Sequence, residues 1–361
     1  MTALTIPETA LVVLVGAGAA AFASRHFPHG QLLVSDAGIA ERLRAGELTL
    51  VDATDLEPPA RARLAALARD QDVPAVAIVL EPPTHLPGFG TAYEPDGDVS
   101  VVLEKLACDR RELTGPFDIV GDVHGCRAEL VALLVQLGWV LSYDESGRPV
   151  GAAHPQRRTA VFLGDLIDRG PDSPGVLRLV MGMVAAGTAL CVPGNHEQKL
   201  LRKLRGRNVR VSHGLAETLA QLSAEPVSLV DDVASFVDSL PSHYVLDGGR
   251  LVIAHAGLKE AYHGRSSGRV RSFALYGDTT GETDEYGLPV RLPWARDYRG
   301  SAMVVYGHTP VPRAEWVNNT ICLDTGCVFG GSLTALRYPE RELVSVPAAR
   351  TYYAPARPLG A

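Results

Sequence analysis

Five short segments of this chain set Asp, His and Asn among glycines. They are Gly121-Asp122-Val123-His124-Gly125, Gly164-Asp165-Leu166-Ile167-Asp168-Arg169-Gly170, Gly194-Asn195-His196-Glu197, Ala254-His255-Ala256-Gly257 and Tyr306-Gly307-His308-Thr309-Pro310. Carboxylate and amide oxygens together with imidazole nitrogens form a mixed donor set. Such a set suits manganese, iron, zinc or nickel better than calcium or a thiolate-seeking metal. Asp122 and His124 stand two apart, so on extended chain they share a face and can both reach one ion just past a strand end. Arg169 offers a planar fork that matches phosphate oxygens. Taken singly, each segment is ordinary: a Gly-Asp-x-x-Asp is usually a turn, and a strand-end His is usually a surface or core residue. Taken together, in this order and each behind an apolar strand, they point to a metal centre built for a phosphate.

The elements that must position these residues are short apolar runs ending in Asp, His or Asn. Phe117–Gly121, Ala160–Gly164, Ala189–Pro193, Leu251–Ala254, Met303–Tyr306 and Thr320–Leu323 read as strands of a packed sheet, which can hold catalytic groups rigidly above its edge. Upstream of Thr114-Gly115-Pro116 the character differs. Leu11–Val15, Gln31–Val34, Thr49–Val51 and Ala75–Leu80 read as strands, Ala17–Phe27 and Arg61–Arg69 as helices, and Glu81–Asp98, rich in Pro and Gly, as loop. That β-α-β alternation predicts a parallel α/β sheet.

The 361 residues suffice for two domains, and 46% hydrophobic with 21% charged residues is a globular composition. A formal charge of -7 excludes a broadly basic surface, so any nucleic-acid contact must come from a local patch or a metal centre. Five arginines between His255 and His308 (Arg265, Arg269, Arg271, Arg291 and Arg296) are candidates for such a rim. Five cysteines without a paired C-x-x-C pattern fit a reducing compartment, and Cys126 and Cys327 read as packing residues. Leu11–Ala23 is almost wholly apolar and ends like a signal-peptide cleavage site. The stretch before it has no Lys or Arg and carries Glu8, and the run is too short to span a bilayer. A cytoplasmic protein without membrane contact is expected.

The five segments resemble the signature of the phosphoprotein-phosphatase branch of the calcineurin-like metallophosphoesterases. With Leu275–Asp284, Asp324–Gly331 and Leu333–Glu340 included, the chain looks closer to the phosphatase module of bacterial polynucleotide kinase-phosphatases, with diadenosine-polyphosphate hydrolases as near cousins. The resemblance spans roughly residues 114 to 347. It implies an α/β chain: an N-terminal P-loop-kinase-like parallel α/β domain over residues 1–113, then a metallophosphoesterase β-sandwich flanked by helices over residues 114–361. It also implies two divalent metal ions, manganese first, with nickel, iron or zinc as alternatives. Asp122 and His124 would hold one ion, Asp165 would bridge, and Asn195, His255 and His308 would complete the other. Arg169 and Asn195 would grip the phosphate, His196 would protonate the leaving oxygen with Asp168 fixing its tautomer, and Asp324 would support the site. Such a metal pair makes a water nucleophilic near neutral pH.

The expected activity is metal-dependent hydrolysis of phosphate esters of nucleotides or nucleic-acid ends. The alternatives are a diadenosine-polyphosphate hydrolase, a serine/threonine protein phosphatase, or a non-enzymatic scaffold for nucleic-acid ends. A separate ligase or kinase would be the partner.

In the N-terminal region Val51-Asp52-Ala53-Thr54 and the run Ala60–Leu80 resemble the kinase that precedes such phosphatases, and Val34-Ser35-Asp36 matches the place of its general base. The phosphate cradle departs from the pattern. Gly16-Ala17-Gly18-Ala19-Ala20-Ala21-Phe22 has neither the Lys nor the hydroxyl of G-x-x-x-x-G-K-[S/T], and Lys105 is the first lysine of the chain. Glu94–Val99, where a basic lid is expected, is acidic. A degenerate kinase-like domain is the reading. Its rival is a dinucleotide-binding fingerprint, since Gly16, Gly18 and Ala21 spell G-x-G-x-x-A behind a strand and Asp36 ends the next.

Overall fold

The computed structural model describes residues 2–28, 32–33, 36–81, 85–95 and 97–355. Two compact units divide the chain: Met1–Asp109 with Gly264–Val270, and Arg110–His263 with Arg271–Ala361.

In the first unit a parallel sheet runs in the order Leu32–Leu33, Thr49–Asp52, Leu11–Val15, Ala75–Val79, Thr91–Tyr93. Alternation along the central strand splits its side chains between two cores. Val12 and Leu14 meet the helix Ala19–His26 and the strand Thr2–Pro7, while Leu11 and Val13 meet the helices Asp36–Ala45 and Pro58–Asp70. The apolar run Leu11–Ala23 thus comprises the buried central strand Leu11–Val15 and the first turns of the helix Ala19–His26. The first strand lies between the third and the fourth, an order that differs from both doubly wound dinucleotide-binding orders.

Three local expectations need correction. Helix one starts at Ala19, because Gly18 takes a left-handed φ of 90°. The helix read from Arg61 starts at Pro58, since Pro is well placed in a first turn. Within the expected loop, Thr91–Tyr93 is a strand. Among the described residues it pairs with Ala75–Val79 alone, and its Pro- and Gly-rich surroundings hide it. Gln31, Val34 and Ser35 lie outside the described residues.

The second unit holds two stacked sheets. One runs Ala189–Cys191, Thr159–Phe162, Phe117–Val120, Ser332–Tyr338, Glu342–Pro347, its first three strands parallel. The other includes, in order, Trp316–Val317, Thr320–Cys322, Met303–Tyr306, Leu251–Ala254 and His243–Leu246. Phe117, Ile119, Val161 and Leu163 point at Leu251, Ile253, Val305 and Ile321 in the core between them. Their strand neighbours Val120, Ala160 and Phe162 face outward, under the helices Arg127–Leu137 and Ser173–Ala185. This is a sandwich with helices on its flank.

One charge is buried mid-strand. The Asp118 carboxylate accepts from Arg158 Nε at 2.7 Å and Trp139 Nε1 at 2.9 Å, and Arg158 also reaches Glu340 at 2.7 Å. All five cysteines are buried thiols. No helix among the described residues is long and apolar enough to cross a membrane.

Candidate active site

Every candidate ligand, and the supporting residue Asp324 with them, sits just past the carboxyl end of a strand. Asp122 and His124 follow Phe117–Val120, Asp165 follows Thr159–Phe162, and Asn195 follows Ala189–Cys191. His255, His308 and Asp324 follow Leu251–Ala254, Met303–Tyr306 and Thr320–Cys322. Parallel pairing within each sheet brings neighbouring strands' ends to one edge, where polar groups collect.

Asp165 is the hinge of the arrangement. Its Oδ2 lies 3.5 Å from His124 Nε2, and its Oδ1 lies 3.4 Å from His255 Nε2. One carboxylate therefore faces two clusters: His124, Asp165 and His196 on one side, and Asp165, His255 and His308 on the other. The Asp165 Oδ1 also accepts the backbone N–H of His196 at 3.2 Å, at the N-terminus of the helix Asn195–Leu204, where negative charge is stabilised.

The imidazoles are oriented by their second nitrogens. His124 Nδ1–H donates to the Ile167 carbonyl and His255 Nδ1–H to that of Leu163, both at 2.8 Å. Each Nε2 then carries a lone pair aimed at Asp165. His308 Nδ1 lies 3.0 Å from His255 Nε2, as does Asn195 Oδ1, and Arg291 donates to His308 Nε2 at 2.8 Å. Asp122 accepts the His308 N–H on Oδ2 at 2.9 Å, while its buried Oδ1 has no hydrogen-bond partner. A Cβ at Gly307 would come within 1.9 Å of that Oδ1, so only glycine fits there.

The electrostatics are those of a site short of positive charge. Burial first, then the Asp324 and Asp165 charges, push the Asp122 carboxyl well above its usual range. Burial raises Asp165 to about 7, against the pull of Arg169. Burial first, then neighbouring cations and imidazoles, hold His124 and His308 well below theirs. Neutral imidazoles with outward lone pairs, crowded carboxylates and an unpartnered carboxylate oxygen are a donor set that fits divalent cations.

Arg169 donates from Nη1 to His124 Nε2 at 2.7 Å and from Nη2 to His196 Nε2 at 3.0 Å. His196 Nδ1–H donates to Asp168 Oδ2 at 2.6 Å. Asp168 itself is fixed by its N–H, which donates to Ser173 and Thr218 hydroxyls, both at 3.1 Å. Asp324 is buried beside Asp122, with Oδ1 accepting the Gly326 N–H at 3.0 Å. His124, Asp165, Asp168, Arg169 and His308 all have left-handed backbone, at φ 44°, 47°, 71°, 70° and 74°.

The sequence reading missed Glu197. Its Oε2 accepts the N–H groups of Asp165 and Gly194 at 2.8 and 2.7 Å. Its Oε1 accepts those of Leu166 and Ile167 at 2.8 and 3.3 Å. The only signal was its place three residues after Gly194, the third helical position, where a Glu reaches back to the cap N–H.

Also missed were the walls of a cavity of about 300 Å³ that opens from the site and includes Lys199, His213, Tyr276, Phe329 and Tyr353. Of the five arginines taken as a rim, Arg291 lines this cavity, and Arg271 donates to Gln198 at 2.6 Å. Arg265 and Arg269 belong to the first unit, donating to the Leu43 carbonyl and to Asp72, each at 2.7 Å.

A bis(5'-nucleosyl)-tetraphosphatase PrpE (asymmetrical) of Anoxybacillus flavithermus is 48% identical over 242 residues, which is 66% of this chain and 96% of that protein. Its namesake in Geobacillus thermodenitrificans is 50% identical over 234 residues, 64% of this chain and 93% of its own. That of Bacillus subtilis is 46% identical over 240 residues, 65% and 96%. The model of the calcineurin-like phosphoesterase family matches residues 115–324, more than half of the chain, and the chain belongs to this family of metal-dependent phosphoester hydrolases.

Proposed function

We propose that the enzyme hydrolyses dinucleoside polyphosphates, cutting one phosphoanhydride asymmetrically. The observation that carries the chemistry is Asp165, whose two oxygens face separate imidazole clusters. Asp122, His124 and Asp165 would hold one divalent cation, and Asp165, Asn195, His255 and His308 the other. Bound there, the cations supply the positive charge that makes water nucleophilic near neutral pH and offsets charge on the phosphate. The choice of substrate is supported by the PrpE relatives, 46–50% identical over nearly their whole lengths.

The chain's own side chains fit that substrate. Arg169 aims both terminal nitrogens into the site and would exchange two imidazole acceptors for two phosphate oxygens, which bind a guanidinium more strongly. Asp168 holds the proton of His196 on Nδ1, leaving Nε2 to face the leaving oxygen. Burial first, then the Arg169 charge, keep His196 well below its usual range, so Nε2 seldom carries the proton a leaving oxygen would take, and donates readily when it does. A nucleotide leaving group is a weak base and needs little protonation, which suits such a histidine. Asp324 acts by fixing the 324–326 turn beside Asp122.

For the first unit we propose a kinase-like fold without phosphotransfer. Its strand order, which departs from both dinucleotide-binding orders, is consistent with this, as is Thr54. The Thr54 hydroxyl takes the Gly16 N–H at 3.1 Å and donates to Asp52 at 2.6 Å, closing the turn where a phosphate would be cradled.

The test is a side-by-side panel with manganese: diadenosine tetraphosphate, a 2′,3′-cyclic nucleotide, a 3′-phosphorylated oligonucleotide and a phosphoserine peptide. Diadenosine tetraphosphate should be fastest and yield ATP with AMP. A faster peptide or oligonucleotide overturns the substrate assignment.

A further inference from the structure

Two walls of the 300 Å³ cavity differ in chemistry. On one, Lys199 stands one helical turn beyond Asn195, with His213 beside it. Two of the three Lys199 protons go to Ser212, at 2.8 Å to its carbonyl and 3.0 Å to its hydroxyl, which pins the chain leading into His213. Burial first, then Arg169 and Arg210 against the opposing Asp168, lower the Lys199 pKa. Burial first, then Lys199 and Arg169, lower that of His213. Lys199 thus stands as a part-buried cation among Arg169, Arg210 and Asp168, beside an imidazole that burial keeps neutral.

The other wall is aromatic. Phe329 and Tyr353 stand edge to face, with ring centres 6.5 Å apart, and the Arg169 guanidinium sits 5.3 Å from the Phe329 ring centre. Tyr353 is built in, because its segment is tied down. The N–H groups of Tyr352 and Tyr353 both donate to the Val328 carbonyl at 3.0 Å. Glu129 accepts the Ala349 N–H at 3.0 Å and the Tyr352 hydroxyl at 2.7 Å.

We propose that this cavity is a two-walled nucleoside-polyphosphate subsite, in which Lys199 and His213 take the phosphates next to the one attacked and Phe329 and Tyr353 take the base. Phosphate oxygens suit the Lys199 ammonium and a donating imidazole, and a base has a π-face for an aromatic wall. The inference rests on the nucleotide-polyphosphate reading above and extends it to particular residues.

The test uses p-nitrophenyl phosphate as reporter substrate, manganese in excess, and two inhibitors: inorganic tripolyphosphate and ATP. In the wild-type protein ATP should inhibit at least about tenfold more tightly, the worth of one stacked base. Lys199→Gln should weaken both inhibitors by about tenfold, through loss of one charged contact. Tyr353→Leu should remove most of the ATP advantage, and Tyr353→Phe should restore it. An unchanged ATP-to-tripolyphosphate ratio in both Tyr353→Leu and Phe329→Leu overturns the base wall. Wild-type inhibition in Lys199→Gln overturns the phosphate wall. Because the reporter is not a nucleotide, these results stand apart from the substrate panel, where failure of diadenosine tetraphosphate would refute the function and not the cavity.

Discussion

Glu197 is where a conservative change should do the most harm. Its carboxylate is fully buried and accepts four backbone N–H groups, two on each oxygen. Glu197→Gln keeps the shape but turns one oxygen into an amide nitrogen, which cannot accept. Whichever oxygen is lost, two buried N–H groups then face another N–H, at about 1–3 kcal/mol each. The expected loss is about 2–6 kcal/mol, a large share of the roughly 5–15 kcal/mol that holds a protein folded. Three of the four donors, Asp165, Leu166 and Ile167, belong to the turn that carries the bridging carboxylate, so activity should fall with stability. Urea unfolding of the manganese-loaded protein should show a midpoint lower by about 1 M or more. Turnover of diadenosine tetraphosphate should fall on the order of a hundredfold, because a bridging carboxylate displaced by a fraction of an ångström no longer meets both clusters. Stability within 1 kcal/mol of wild type, together with turnover within about tenfold, would refute this account of the turn.

Four other outcomes are expected. Asp165→Asn should cost on the order of 10³-fold or more in kcat and lower the number of tightly held metal ions in an equilibrium-dialysis measurement. His196→Ala should retain its metal yet slow an alkyl phosphate far more than p-nitrophenyl phosphate, and equal losses would remove His196 as proton donor. His243 is buried, and burial first, then His263 and Arg111, lower its pKa from 6.5 to about 3. The unfolded chain then takes a proton that the folded one refuses, and its share of stability is complete above 6.5 and lost as pH falls. At about one pH unit below 6.5 that share has shrunk by about 1.4 kcal/mol, so His243→Gln should flatten the fall of Tm between neutral and mildly acidic pH. Finally, the first unit should transfer no label from γ-labelled ATP to a 5′-hydroxyl oligonucleotide. Transfer that disappears in Asp36→Asn would contradict its assignment as a silent domain.

What the sequence made legible was the part written in residue types. Asp, His and Asn behind apolar strands are visible because each chemical role needs a particular side chain at a strand end. The strands themselves are visible because burial on both faces leaves continuous runs such as Leu11–Val15 and Leu251–Ala254. Glu197 was illegible for the converse reason: its partners are backbone N–H groups of residues 165–167, which any sequence would offer. The cavity walls were illegible because Lys199, His213, Phe329 and Tyr353 come from separate stretches and acquire meaning only by adjacency. The attachment of Gly264–Val270 to the first unit rests on long-range partners such as Asp72 and the Leu43 carbonyl, with no local pattern to announce it.

The left-handed backbone at His124, Asp165, Asp168, Arg169 and His308 has an evolutionary consequence. Each such residue is held against a conformational preference of about 1–3 kcal/mol, and a glycine there would relieve most of it. A population selected for heat resistance alone, with no demand for turnover, should therefore accumulate glycines at these five positions ahead of most others. Thermostable descendants chosen without an activity screen would be recognisable by an emptied centre in an intact sandwich. In an activity-blind library, enrichment of glycine at Arg169 or His308 would be the earliest sign of that drift.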